Sequence, residues 1–175
     1  VGIITSYLDN NDELYLELSD SIFKKEILVV TRFVQLPSNY SGYINAGSKT
    51  SEQVVMFEKK GEKIYLRQKS FSNIANEIDP INISVTKNNL TPILASFKIL
   101  NKEKNRYLID VSSFFLKDSP GFNIIRKTER DKYKIGRADK NRSSIDSANS
   151  YPQNLEIKHT LTFEASKPPR GNNSK

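Results

Sequence analysis

The sequence predicts a mainly β domain of antiparallel sheets, sandwich-like or one strongly twisted layer, with α content limited to a few short helices. Three observations lead there. Two-residue alternation of apolar and polar residues recurs along the chain. No apolar stripe at helical spacing runs beyond about ten residues. Polar, Gly-containing turns separate the alternating runs at hairpin distances.

Taken in order, Leu14, Leu16 and Leu18 alternate with Glu13 and Glu17, as a half-buried strand requires. Asp20 is positioned to cap a short turn through Lys25. Residues 26–34 (EILVVTRFV) are apolar on both faces and read as a central strand. Two strands, 54–58 and 63–68, flank the turn Lys59-Lys60-Gly61-Glu62, where Gly61 supplies the positive φ of a tight hairpin. A second hairpin joins residues 93–100 to 106–111. Short helices are expected at 79–88, opened by Asp79-Pro80, and at 113–117, capped by Ser112. The cleanest strand sets Leu155, Ile157, His159, Leu161 and Phe163 against a polar face. Six or seven strands result. Residues 1–166 form one β-rich domain, and 167–175 read as a linker tail.

Composition excludes much chemistry. The 175 residues contain no Cys and one His, which removes disulfide scaffolds, thiolate metal sites and cysteine nucleophiles, and leaves the chain poorly equipped for a zinc enzyme, which mostly assembles two or three imidazoles, or for a serine hydrolase, whose base His159 alone would have to supply. The 17 aromatics argue for a packed core. No apolar run approaches the roughly 20 residues of a membrane helix. The chain opens on Val1 without an initiator Met or signal segment, as a fragment or processed product would.

The net charge of +7 sits in one region: residues 98–142 hold 13 basic and 6 acidic side chains, and the remainder is neutral. Its densest part, 126–142, reads as a solvated basic loop. Arg126, Lys127, Arg130, Lys132, Lys134 and Arg137 are the candidate contacts for an anionic partner. With Tyr133 as its only aromatic, the stretch lacks the stacking residues of a single-strand binder, and nucleic acid is set aside.

His159 shares a face with Ile157 and Leu161 and reads as structural rather than as a ligand or base. The loop 41–49 (SGYINAGSK) lacks the spacing of a phosphate loop. It reads first as an ordered turn and second as a contact loop using Gly42, Tyr43, Asn45 and Gly47. The acidic runs 9–13 and 77–79 do not follow a calcium loop and are assigned to turns.

The stretches GYINAGSKTSEQVVMFEKKGEKIYLR (42–67), LTPILASFKI (90–99), YLIDVSSFFLKDSP (107–120) and RSSIDSANSYPQNLEIKHTLTFEASKPP (142–169), with the acidic-then-apolar lead-in Ser19-Asp20-Ser21-Ile22-Phe23, resemble the N-terminal region of the large, envelope-exported bacterial zinc-dependent metalloproteases. The resemblance covers residues 12–169. It implies a metzincin-type HExxH domain downstream, a periplasmic or cell-surface setting, often as a lipoprotein, and zinc as the cofactor of that downstream domain. This chain has no HExxH, so no catalytic or metal-ligating residue carries over and no cofactor is expected within it. The expectation is a non-catalytic accessory domain whose partner is the downstream catalytic domain of the same polypeptide. The alternative is a binding module for an anionic envelope component. A carboxylate-based hydrolase ranks last, because it needs two acids converging about 5–9.5 Å apart.

Overall fold

A computed structural model of the chain describes residues 2–37, 45–69, 91–119, 122 and 125–168. The strands are β1 (Ile4–Leu8), β2 (Leu14–Ser19), β3 (Ile27–Arg32), β4 (Lys49–Lys60), β5 (Lys63–Lys69), β6 (Ile93–Glu103) and β7 (Arg106–Asp110). After them come helix α1 (Ser112–Phe115), helix α2 (Lys127–Tyr133), and strands β8 (Ile135–Ala138), β9 (Ser144–Ser150), β10 (Leu155–Thr160) and β11 (Phe163–Ala165). The mainly β class is as expected. The first seven strands form one curled antiparallel sheet in the order β1-β2-β7-β6-β5-β4-β3, and β9-β10 and β8-β11 form two ribbons.

Alternation places one row of each strand on the inner side. Leu14, Leu16 and Leu18 of β2, Val55 and Phe57 of β4, Ile64 and Leu66 of β5, Phe97 of β6 and Ile109 of β7 are buried there. Each fully buried aliphatic side chain contributes about 1.5–3 kcal/mol relative to exposure. Helix α1 closes this side: Phe114 meets Phe97, Phe115 and Phe122 edge-to-face at centroid distances of 6.0, 5.3 and 4.9 Å. The C-terminal ribbon supplies Ile145, Ala148, Leu155 and Ile157 to the same core.

Both predicted hairpins form. The β4–β5 pair turns through Gly61 at φ +59, and β6 runs three residues further than expected before turning at Lys104, also at positive φ. A bulge between Ile99 and Asn101 shifts the β6–β7 register and sets Asn101 opposite Leu108.

Four local readings are corrected. Residues 27–32 are the edge strand β3, not a central one. Ser19, not Asp20, caps the 3-10 turn Asp20–Ile22, its hydroxyl accepting from Ser21 N–H at 3.4 Å. Helix α1 starts at Ser112 with Val111 as its N-cap and no side-chain cap, so Ser112 is the first helical residue rather than the cap; its N–H donates to the Asp110 carboxylate at 2.8 Å. The strand expected through 155–164 breaks at Leu161 and Thr162, because β10 pairs with β9 and β11 with β8. The expected helix at 79–88 lies outside the described residues.

Candidate functional site

The segments singled out from sequence are built into the fold to different degrees. Asn45 and Gly47 belong to an ordered turn: Ser48 N–H donates to the Asn45 carbonyl at 3.0 Å, and Gly47 N–H to the Phe33 carbonyl at 2.7 Å. Gly47 sits at φ +86, a conformation that side-chain-bearing residues rarely adopt. Gly42 and Tyr43 lie outside the described residues.

The basic stretch is helix α2, a left-handed residue Lys134 at φ +51, and strand β8, rather than a loop. Burial of Tyr133 and pairing of β8 with β11 fold it in. Arg126, Lys127, Lys132, Lys134 and Arg137 are exposed. Arg130 departs from the group. It is ion-paired with Asp118, donates to the Gly136 carbonyl at 3.2 Å and lies 5.5 Å from the Phe163 ring centroid. Arg130 is therefore a structural cation.

His159 is half-buried, with Nδ1 2.6 Å from the Phe115 carbonyl and its ring edge-on to Phe115 at 5.7 Å. A carbonyl can only accept, so Nδ1 carries the proton. This imidazole is engaged, and no group of three or more His, Asp or Glu side chains that could hold a metal ion occurs among the described residues. The acidic run 9–13 makes the β1–β2 turn, where Asp9 Oδ1 accepts the N–H groups of Asn11 and Glu13 at 2.8 and 2.9 Å.

The outer rows of the sheet carry two surfaces that the sequence reading did not single out. At the β1-β2-β7-β6 end lies a depression of about 350 Å³ lined by Tyr7, Tyr15, Glu17, Asn101, Glu103, Arg106 and Leu108. Its signal was the same alternation that set Leu14, Leu16 and Leu18 inward, since that pattern necessarily turns Tyr15 and Glu17 outward. Arg106 Nε pairs with Glu17 at 2.8 Å, and its Nη2 donates to Thr5 Oγ1 at 2.9 Å. Tyr7 donates its hydroxyl to Glu17 at 3.3 Å and Tyr15 to Glu13 at 2.6 Å. Loss of solvation, then the Glu17 carboxylate, raises the Tyr7 hydroxyl above its ordinary value. The hydrogen bond to Glu13, with desolvation behind it, pushes Tyr15 up to about 12. Both phenols are neutral donors at pH 7.

At the opposite end, edge strand β3 turns Leu28 and Val30 outward at 60% and 42% exposure. Leu28 stands beside half-buried Val54 of β4, and Val34, just past the strand, is 60% exposed.

Residues 47–175 match the family described as Domain of unknown function (DUF5117). The chain belongs to this family. The DUF5117 match starts in the turn ahead of β4, so β1, β2 and β3, which complete both edges of the seven-stranded sheet, precede it. No curated protein and no solved structure matches the chain.

Proposed function

We propose that this chain is a non-catalytic accessory domain that packs, through the outer face of β3, against the catalytic domain of a zinc-dependent metallopeptidase in the same polypeptide, in the periplasm or at the cell surface. The observation that supports the packing surface is the position of β3. A strand apolar on both faces has the composition of a sheet interior, yet β3 stands at an edge with Leu28 and Val30 facing solvent. Sheet edges are ordinarily blunted with charge or proline. An apolar edge left open fits a surface that another folded domain covers. The peptidase identity of that domain rests on the sequence resemblance of residues 12–169, and the chain's lack of HExxH is in keeping with chemistry carried by the downstream domain.

The test is Leu28→Lys with Val30→Lys in the full-length polypeptide. Because both side chains are exposed, the double variant leaves the stability of this domain within about 0.5 kcal/mol per site. Hydrogen exchange of β3 and β4 should rise and peptidase thermal stability should fall. Unchanged exchange in a folded variant would sink the packing proposal.

The second reading, contact with an anionic envelope component, keeps Arg126, Lys127, Lys132, Lys134 and Arg137, which are exposed on one helix–turn–strand unit. It gives up Arg130, committed to Asp118. Binding to vesicles rich in anionic lipid that is lost steeply with added salt would favour it.

A further inference from the structure

We propose that the depression on the outer face between β1, β2, β7 and β6 binds a neutral oligosaccharide, with Tyr7 and Tyr15 as the stacking platform and Asn101 and Glu103 as hydroxyl-reading groups. The argument starts with register. Tyr7 and Tyr15 are direct cross-strand partners, so their Cβ atoms lie about 4.5–5.5 Å apart and their rings stand side by side on one face. Tyr7 is 50% exposed. Both hydroxyls are already committed, to Glu17 and Glu13, which fixes the rings in advance and leaves their faces as what the surface offers. An aromatic face is electron-rich. It suits the weakly positive C–H groups on one side of a pyranose, and it asks for no charge.

The electrostatics agree. Glu17 is met by Arg106 at 2.8 Å and by Tyr7, so the one cation among the described lining residues is neutralised within the depression. Glu103 adds a second carboxylate, which repels phosphate, sulfate or uronate groups. The chain's excess of positive charge is therefore not displayed here.

An independent observation comes from the opposite wall. The β6 bulge between Ile99 and Asn101 breaks the register and brings Asn101 opposite Leu108, into the lining. Bulges commonly re-aim a side chain beside a functional site. Neither the Asn101 nor the Glu103 side chain has a hydrogen bond or ion pair with another described residue. An amide and a carboxylate together offer both donors and acceptors to vicinal hydroxyls. The volume, about 350 Å³, falls at the lower end of the range of about 300–1,000 Å³ for small-molecule sites, enough for a short stretch of a glycan in an open groove.

The chain has 8 Tyr and no Trp, so its intrinsic fluorescence is tyrosine fluorescence, to which the two platform rings contribute. The full chain would be titrated to millimolar concentration with maltohexaose, cellohexaose and tetra-N-acetylchitotetraose, and in parallel with a heparin oligosaccharide and oligolysine. Saturable binding of at least one neutral sugar is expected, weakened about tenfold or more by Tyr7→Ala and by Tyr15→Ala, and within about threefold of the parent in Tyr7→Phe, which keeps the ring. Asn101→Ala, at an exposed position, should weaken binding without altering the circular dichroism spectrum. The proposal is overturned if none of the three neutral sugars binds, if heparin or oligolysine binds more tightly than every neutral sugar, or if a folded Tyr7→Ala chain keeps full affinity. Leu28→Lys with Val30→Lys lies at the other end of the sheet and should leave sugar binding unchanged, which separates this outcome from that of the packing surface.

Discussion

Replacing Arg130 with Ala should destabilise the domain far more than replacing its neighbour Lys127, although both belong to one basic helix. The Arg130 and Asp118 side chains are 24% and 20% exposed, and the second Asp118 oxygen is buried without a partner among the described residues. Orphaning one member of a fully buried pair costs about 3–5 kcal/mol, and an exposed pair contributes about 0–1 kcal/mol. A pair four-fifths buried falls between these limits. Adding about 0.5–1 kcal/mol for the lost contact with the Phe163 ring gives a total of about 2–3 kcal/mol. For a chain of this size that corresponds to a fall in melting temperature of about 5–10 °C. Lys127→Ala, at an exposed position, should stay within about 0.5 kcal/mol. Urea denaturation measures both, and the midpoint should move without a change in slope. A cycle with Asp118→Ala isolates the pair, because the double variant should lose less than the sum of the single ones. If Arg130→Ala and Lys127→Ala melt together, Arg130 is a solvated charge and its assignment to the fold is wrong.

Other consequences are open to direct measurement. The Tyr15 phenol should ionise near pH 12 rather than 10, read by absorbance, and Glu13→Gln should lower it; the folded state holds the protonated form, so this contribution to stability is present below pH 10 and lost as pH rises through about 12. His159→Ala removes the bond to the Phe115 carbonyl and should cost about 1–3 kcal/mol in chemical denaturation. Gly61→Ala has open space around its Cβ but must adopt φ +59, so a loss of about 1–2 kcal/mol comes from backbone strain alone. Phe114→Ala empties the centre of the aromatic cluster under α1 and should cost about 3–5 kcal/mol.

What could be read from the chain followed the strength of local patterning. Leu14, Leu16 and Leu18 alternate without interruption, and Gly61 sits where a two-residue turn demands it, so β2 and the β4–β5 hairpin were legible. Strand β1 was not, because Ser6 occupies the middle of ITSYL and bonds the C-terminal ribbon. Strand β9 (SIDSANS) has little intrinsic preference for extended structure; pairing with β10 makes it a strand. The misplacement of β3 has a different cause. Apolarity on both faces reports that both faces prefer to be covered, and it does not say whether the cover is a neighbouring strand or another domain. The outer-face depression depends on side chains separated by about a hundred positions, Tyr7 and Arg106 among them. Register across non-adjacent strands brings them together, and no local window contains that information.

The bond between Ser6 N–H and Ser150 Oγ, at 2.8 Å, joins residues 144 positions apart, and β2 pairs with β7 across about ninety positions. These closures have a bearing on synthesis. As the chain emerges from a ribosome, strands β3 to β6 can zip up as neighbours in sequence, while the β1–β2 hairpin waits for β7 and then for β9 to be made. Strands β1 and β2, made before β3 to β6, are thus among the last elements of this domain to be secured. Contacts of such long range fold slowly, and until they form, the β2 edge and its leucines are open to chaperones, or to self-association where none intervene.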